Sequence, residues 1–199
     1  MRLHFCLLLL LYSVFNYGFK KNVMPYSLVV SRAVLIVDGT ISKVSKNEYE
    51  FTISQFIKGK SSTKINVAIW KEWLCDPRMK ELKAGQRMIL FLERSPYGNF
   101  YPINESTGEL YVDDDVFLDI FLPKEFLNAT MLKKGISMFL DIYTLYGSLD
   151  NKFYSNIYFV RNKSIFEVYR MKRMNASFSY LSDNAEYFKV TELQQFSMK

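Results

Sequence analysis

The chain has 199 residues, 49% hydrophobic and 17% aromatic, with a formal net charge of +6, one histidine and two cysteines. That apolar content excludes a disordered chain and suits a strand-rich fold: one medium domain, or a small domain with an appendage. The positive excess is diffuse, with Lys20-Lys21, Lys133-Lys134 and Arg170 to Arg173 as its only clusters, so it reads as a solvated face and gives no specific nucleic-acid signal.

Residues 1–18 read as a signal peptide. Arg2 precedes an apolar run from Phe5 that continues to Phe15, too short to span a bilayer comfortably. Cleavage is expected near Gly18, giving a mature chain from Phe19. The absence of a small-x-small site keeps an uncleaved N-terminal anchor as the alternative, and no other membrane contact is expected. The pattern predicts an exported protein, periplasmic or extracellular. The segment carries His4 and Cys6 with it, which leaves Cys75 as the lone mature thiol and no imidazole. Ser-His-Asp and Cys-His catalysis and a His- or Cys-built zinc site are thereby excluded. The chain is read as not an enzyme, with no cofactor and no metal. One thiol makes no intramolecular disulfide, which points to a bacterial envelope protein with a core large enough to fold unaided. Sequons at Asn104, Asn128, Asn162 and Asn175 matter only in a eukaryotic secretory pathway.

Ala33 to Val44 is apolar and then loosely alternating after Gly39, and a glycine inside a strand pattern predicts a bulge. Tyr49 to Ile57 alternates, with Tyr49, Phe51 and Ile53 on one face. Lys58 to Ser62 is a turn, and Lys64 to Trp70 is a third strand with Ile65, Val67 and Ile69 inward. Trp73 to Gly85 offers Asp76 as N-cap, Pro77 at the first helical position and Gly85 past the end, which predicts one to two helical turns. Arg87 to Glu93 is a buried strand, Ser95 to Asn99 a turn, and Phe100 to Asn104 a fifth, short strand. Three strands, a short helix and two strands fit an OB-like five-stranded Greek-key barrel over residues 19–112.

The stretch from about Ala33 to Leu110 also resembles the secreted OB-fold domains of Bacteroidetes-type bacteria, distant relatives of the netrin-like and tissue-inhibitor-of-metalloproteinases domains. IVDGTISKV, YEFTISQFIKGK, the Trp–Cys pair within KEWLCDPRMKELKAGQRMILFLE, and YGNFYPINESTGEL carry the likeness. It implies a fold and export, and no chemistry. The metalloproteinase inhibitors chelate a protease zinc through an N-terminal cysteine. No cysteine lies near the expected mature start here, so that mechanism is not implied.

Residues 113–199 are expected to form a helix plus an antiparallel sheet extension. Glu125 to Gly147 has helical apolar spacing, with Gly135 as a weak point and Gly147 as the stop. Lys152 to Val160, Ser164 to Lys172, Ala176 to Leu181 and Glu186 to Leu193 read as strands of a small meander. The fold class is thus mainly β (α+β). No phosphate-loop motif, neither GxGxxG nor GxxxxGK[ST], occurs.

Trp70, Trp73, Tyr97, Phe100 and Tyr101 form a possible binding surface, since OB folds stack ligands on such aromatics. Their alternative is to fill the barrel and its mouth; Trp70 breaks the inward pattern of its strand and is expected to be partly exposed. Cys75 is either a reactive thiol before a helix start or, more simply, a small buried hydrophobe against Trp73. Asp113 to Asp115 lack the alternate spacing and glycine bend of a calcium loop and read as a solvated turn. Nothing in the spacing of Glu105, Glu109 and Asp119 selects a glycosidase pair, so no catalytic residue is assigned. The leading expectation is a non-enzymatic binding module for a protein partner of unknown identity. The alternatives are a sugar- or oligonucleotide-binding module and, more weakly, a carboxylate-based hydrolase.

Overall fold

The computed structural model describes residues 21–95, 98–147 and 156–192. The expected signal peptide and Tyr97 lie outside the described residues. Helix α1 (Tyr26–Arg32) leads into strands β1 (Leu35–Val44), β2 (Glu48–Lys58), β3 (Lys64–Ala68), β4 (Arg87–Arg94) and β5 (Phe100–Pro102). A 3-10 turn (Glu105–Gly108), β6 (Glu109–Asp113) and β7 (Val116–Phe117) follow. Then come α2 (Ala129–Ile142), β8 (Tyr143–Gly147), β9 (Ile157–Arg161), α3 (Ile165–Lys172), α4 (Ala176–Glu186) and β10 (Lys189–Glu192).

Strands β1 to β5 close a barrel. β1 pairs with both β2 and β4, β2 with β3, β4 with β5, and β3 runs parallel to β5. This is the expected OB-like, mainly β architecture, with β6 and β7 extending the sheet beyond β4. Closure requires β1 to coil, and its register against β2 shifts between Asp38 and Gly39. A Cβ at Gly39 would stand 2.2 Å from the Thr52 carbonyl oxygen, so only glycine lets the strands approach there.

The long apolar runs of β1 and β4 have a topological cause. Leu35, Val37, Met88, Leu90 and Leu92 point into the barrel, where they meet Tyr49, Phe51, Ile65, Val67 and Phe100. Ile36, Ile89 and Phe91, on the opposite face, pack under a helical layer with Leu28, Leu132, Ile136, Phe139, Phe178 and Leu181. Both faces of these strands are covered, so their sequence is continuously apolar instead of alternating. A buried carboxylate ties the layers together. Asp38 of β1 is paired with Arg87 of β4 at 2.8 Å and with Lys133 of α2 at 2.7 Å. Burial opposes its ionisation, but the Arg87 and Lys133 hydrogen bonds outweigh that and hold the carboxyl below the usual range.

Several local expectations are corrected. Trp73 to Gly85 forms no regular helix, only an isolated bridge between Trp73 and Asp76. The Asp76 carboxylate is taken by Lys21 and Ser106 and so does not cap a helix. Helix α2 is shorter than its apolar stripe; Asn128 caps it by accepting from the Met131 amide at 2.7 Å, and the chain passes at Tyr143 into β8. Ser164 to Lys172 and Ala176 to Leu181 are helical, not strands. Ser164 and Glu167 form a capping box, and Asn175 accepts from the Phe178 amide at 2.8 Å, so the caps override a strand-like composition. The small sheet is mixed, because β10 runs parallel to β9 while β8 is antiparallel to it.

Candidate functional site

A cleft of about 800 Å³ lies beside the barrel end where β3 leaves and β6 begins. Four stretches line it: Lys21 to Tyr26, Trp70 with Cys75 to Met79, Ser106 to Tyr111, and Asp119 to Leu122. The cleft thus joins the N-terminal segment to the irregular stretch between β3 and β4 and to the β7–α2 connection.

Its floor is polar, and its charged groups are paired. Glu109, 3% exposed, accepts from the Tyr49 hydroxyl at 3.0 Å and from Arg78 Nε at 3.1 Å. The Arg78 guanidinium lies 4.2 Å from the centre of the Trp70 ring and reaches Glu72 at 3.0 Å. Burial outweighs the Arg78 charge and pushes the Glu109 carboxyl above the ordinary carboxylate range. The same burial, with Glu109 adjacent, raises the Tyr49 and Tyr111 hydroxyls.

A second cluster fastens the N-terminal segment. Lys21 Nζ donates to Asp76 Oδ2 and the Asn104 carbonyl, both at 2.7 Å, and to Ser106 Oγ at 2.8 Å. The Met24 amide donates to Asn104 Oδ1 at 3.0 Å. Burial disfavours the charged Asp76, but the Lys21 and Ser106 hydrogen bonds win and hold it below its usual range. Asn104 adopts a left-handed backbone, φ 50°, a conformation asparagine tolerates well.

The rim is apolar. Phe121 is 85% exposed, with Val23 and Met79 also exposed beside the half-buried Leu122. Ile120, 84% exposed, continues the rim outward.

Of the described residues expected to form a binding surface, the structure brings only Trp70 to this cleft, together with Cys75. Trp70 is buried instead of partly exposed, because Arg78 covers its ring. Phe100 is buried in the barrel core with Arg94 over its ring at 4.6 Å. Trp73 stands apart, half-exposed, its indole N–H donating to Glu105 at 3.1 Å. Tyr101 is half-buried on β5 opposite Glu93. The aromatic platform is therefore not assembled among the described residues. Cys75 is half-buried at the cleft wall, more open than a core hydrophobe.

Asp113 to Asp115 do not gather into a cation site. Asp115 instead receives the Thr130 amide at 2.9 Å and hydroxyl at 3.0 Å, steadying the start of α2. The four sequon asparagines spend their amides locally: Asn128 and Asn175 cap helices, Asn104 holds Met24, and Asn162 donates to the Asp141 carbonyl. Sequence reasoning missed Lys21, Arg78 and the Phe121–Leu122 pair. The one available signal was the acidic-then-apolar stretch 112–123, which fits neither strand nor helix period.

No protein-family model and no curated protein matches the chain.

Proposed function

We propose that the chain is an exported, non-enzymatic OB-like binding module whose cleft seats apolar side chains of a protein partner. The observation that supports this most is the pairing of an apolar rim with a floor whose charges are spent. Lys21 answers Asp76, and Arg78 answers Glu109 and Glu72. A phosphate backbone needs free cations to neutralise it, and a stacked sugar needs an open ring face. The described cations of the cleft are paired, Arg78 already covers the Trp70 ring, and the one open ring among the described residues there, Phe121, stands among aliphatic neighbours instead of polar groups that would hold a sugar's hydroxyls. An exposed Phe121 beside Leu122, Val23 and Met79 instead matches the apolar centre of protein–protein interfaces. The carboxylate-hydrolase alternative gains no support: Asp76 and Glu109 are each held by a cation, and Asp119 accepts from the Phe121 amide.

Export, to the periplasm or beyond, rests on the Arg2-to-Phe15 pattern. Cleavage near Gly18 would leave the Lys21 fastening in place. Kinship with secreted bacterial OB domains, and through them with netrin-like domains, rests on the motifs quoted above.

The test is recovery of partners from the native envelope. A protein retained by the wild-type chain should fall by about tenfold or more with Phe121→Asp, a charge buried at an interface centre, and be unaffected by Lys60→Glu on the β2–β3 turn. Equal recovery with both variants would refute the cleft as the binding site.

A further inference from the structure

Helix α3 turns a large, unmatched face to solvent. Only Val168 of its residues is buried. Phe166 is 80% exposed, Tyr169 65% and Met174, just past the helix, 67%. The outward side of the helix places Phe166 next to Arg170 and Tyr169 next to Arg173, each pair one helical turn apart. Among the described residues neither arginine has a carboxylate partner. Lys163 is paired with Glu167, and Lys172 with Asp183 and Glu186, so the free charge of this face is that of Arg170 and Arg173.

We propose that this face docks on an anionic lipid surface, with Arg170 and Arg173 at the headgroup phosphates and Phe166, Tyr169 and Met174 in the interfacial layer. Three properties favour a bilayer. The exposed aromatics and arginines lie along one short helix and its C-terminal end, a single strip that a planar surface can cover. Its cations alternate with aromatics, so headgroup charge and acyl-chain boundary are both complemented at once. A nucleic acid would satisfy the arginines but leave Phe166 and Met174 uncovered against phosphates. No helix among the described residues is long and apolar enough to cross a membrane, so the contact is peripheral. It is independent of the cleft.

The protein recovered after export is co-sedimented with vesicles of phosphatidylcholine, alone or mixed with phosphatidylglycerol. Preferential binding to the mixed vesicles, weakened by salt, is expected. Each of Arg170→Gln and Arg173→Gln should reduce it about fivefold, and Phe166→Ser about tenfold. These exposed substitutions should leave the melting temperature unchanged. In a Phe166→Trp variant, the emission contributed by the introduced indole should shift to the blue with mixed vesicles only. Binding that ignores lipid charge and all three substitutions, or emission that does not shift, would overturn the proposal. So would retention on an oligonucleotide that depends on the arginines but not on Phe166. A soluble protein that binds this face in place of vesicles would overturn it as well.

Discussion

Replacing Arg78 by methionine removes the counter-charge of the most buried carboxylate in the cleft. The side chains of the pair are 5% and 1% exposed, Arg78 and Glu109 respectively. Breaking a buried ion pair from one side costs about 3–5 kcal/mol, and loss of the guanidinium over Trp70 adds on the order of 1 kcal/mol. Tyr49 still donates to Glu109 and limits the loss. The expected deficit is a large part of the roughly 5–15 kcal/mol that holds a domain folded. Its pH dependence has a definite sign. Because burial raises the Glu109 carboxyl in the folded state, the native protein holds this proton more tightly than the unfolded chain. That contribution is fully present below the unfolded value of about 4.3 and is lost as pH rises through the folded value. Without Arg78 the folded value moves higher still. The deficit of Arg78→Met relative to wild type should therefore be largest near neutral pH and shrink on acidification. Adding Glu109→Gln should recover most of it, since no charge is then left buried. Urea unfolding followed by tryptophan emission, at several pH values and with unchanged denaturant slope, measures this. A loss under about 1 kcal/mol, or a deficit that grows on acidification, would refute the reasoning.

Gly135→Ala in α2 should destabilise by about 1–3 kcal/mol, although helix propensity alone predicts a gain of about 1 kcal/mol. The added Cβ would lie 2.8 Å from the Phe178 backbone nitrogen and 2.8 Å from Ser177 Cβ in α4, and thermal melts decide the sign. Asp38→Asn should weaken the tie between barrel and helices by about 3 kcal/mol at neutral pH. In the wild type that tie should persist above the unfolded carboxyl value of about 3.9 and fade as pH falls through the lower folded value, as acid unfolding of the two proteins would show. Cys75, at the cleft wall, should react with a maleimide in the folded protein and be slowed by a bound partner, whereas labelling indifferent to the partner would place the contact elsewhere.

The barrel was legible because its strands obey simple local rules. Tyr49, Phe51 and Ile53 alternate, and Gly39 marks the coil of the first strand. In the last third β9 and β10 fall on segments read as strands, but Ser164 to Leu181 was misread, because its aromatic and β-branched residues imitate a strand pattern. Two short side chains, Ser164 and Asn175, decide for helix instead. The S-x-x-E box at Ser164 was the readable signal there. The cleft was hidden for a different reason. Lys21 meets Asp76 and Arg78 meets Glu109 across 55 and 31 residues of chain, and no spacing rule connects them. The expected aromatic surface failed through a partner that composition does not reveal: a guanidinium already occupies the Trp70 face.

The most direct test of the cleft as a partner site is site-specific crosslinking in the native envelope. A photoreactive phenylalanine analogue at Phe121, on the cleft rim, is compared with the same analogue at Lys60, on the turn at the far end of β3. The account predicts one discrete protein adduct from position 121, absent from position 60 and abolished by Val23→Asp. The same adduct from both positions, or adducts from position 60 alone, would contradict it.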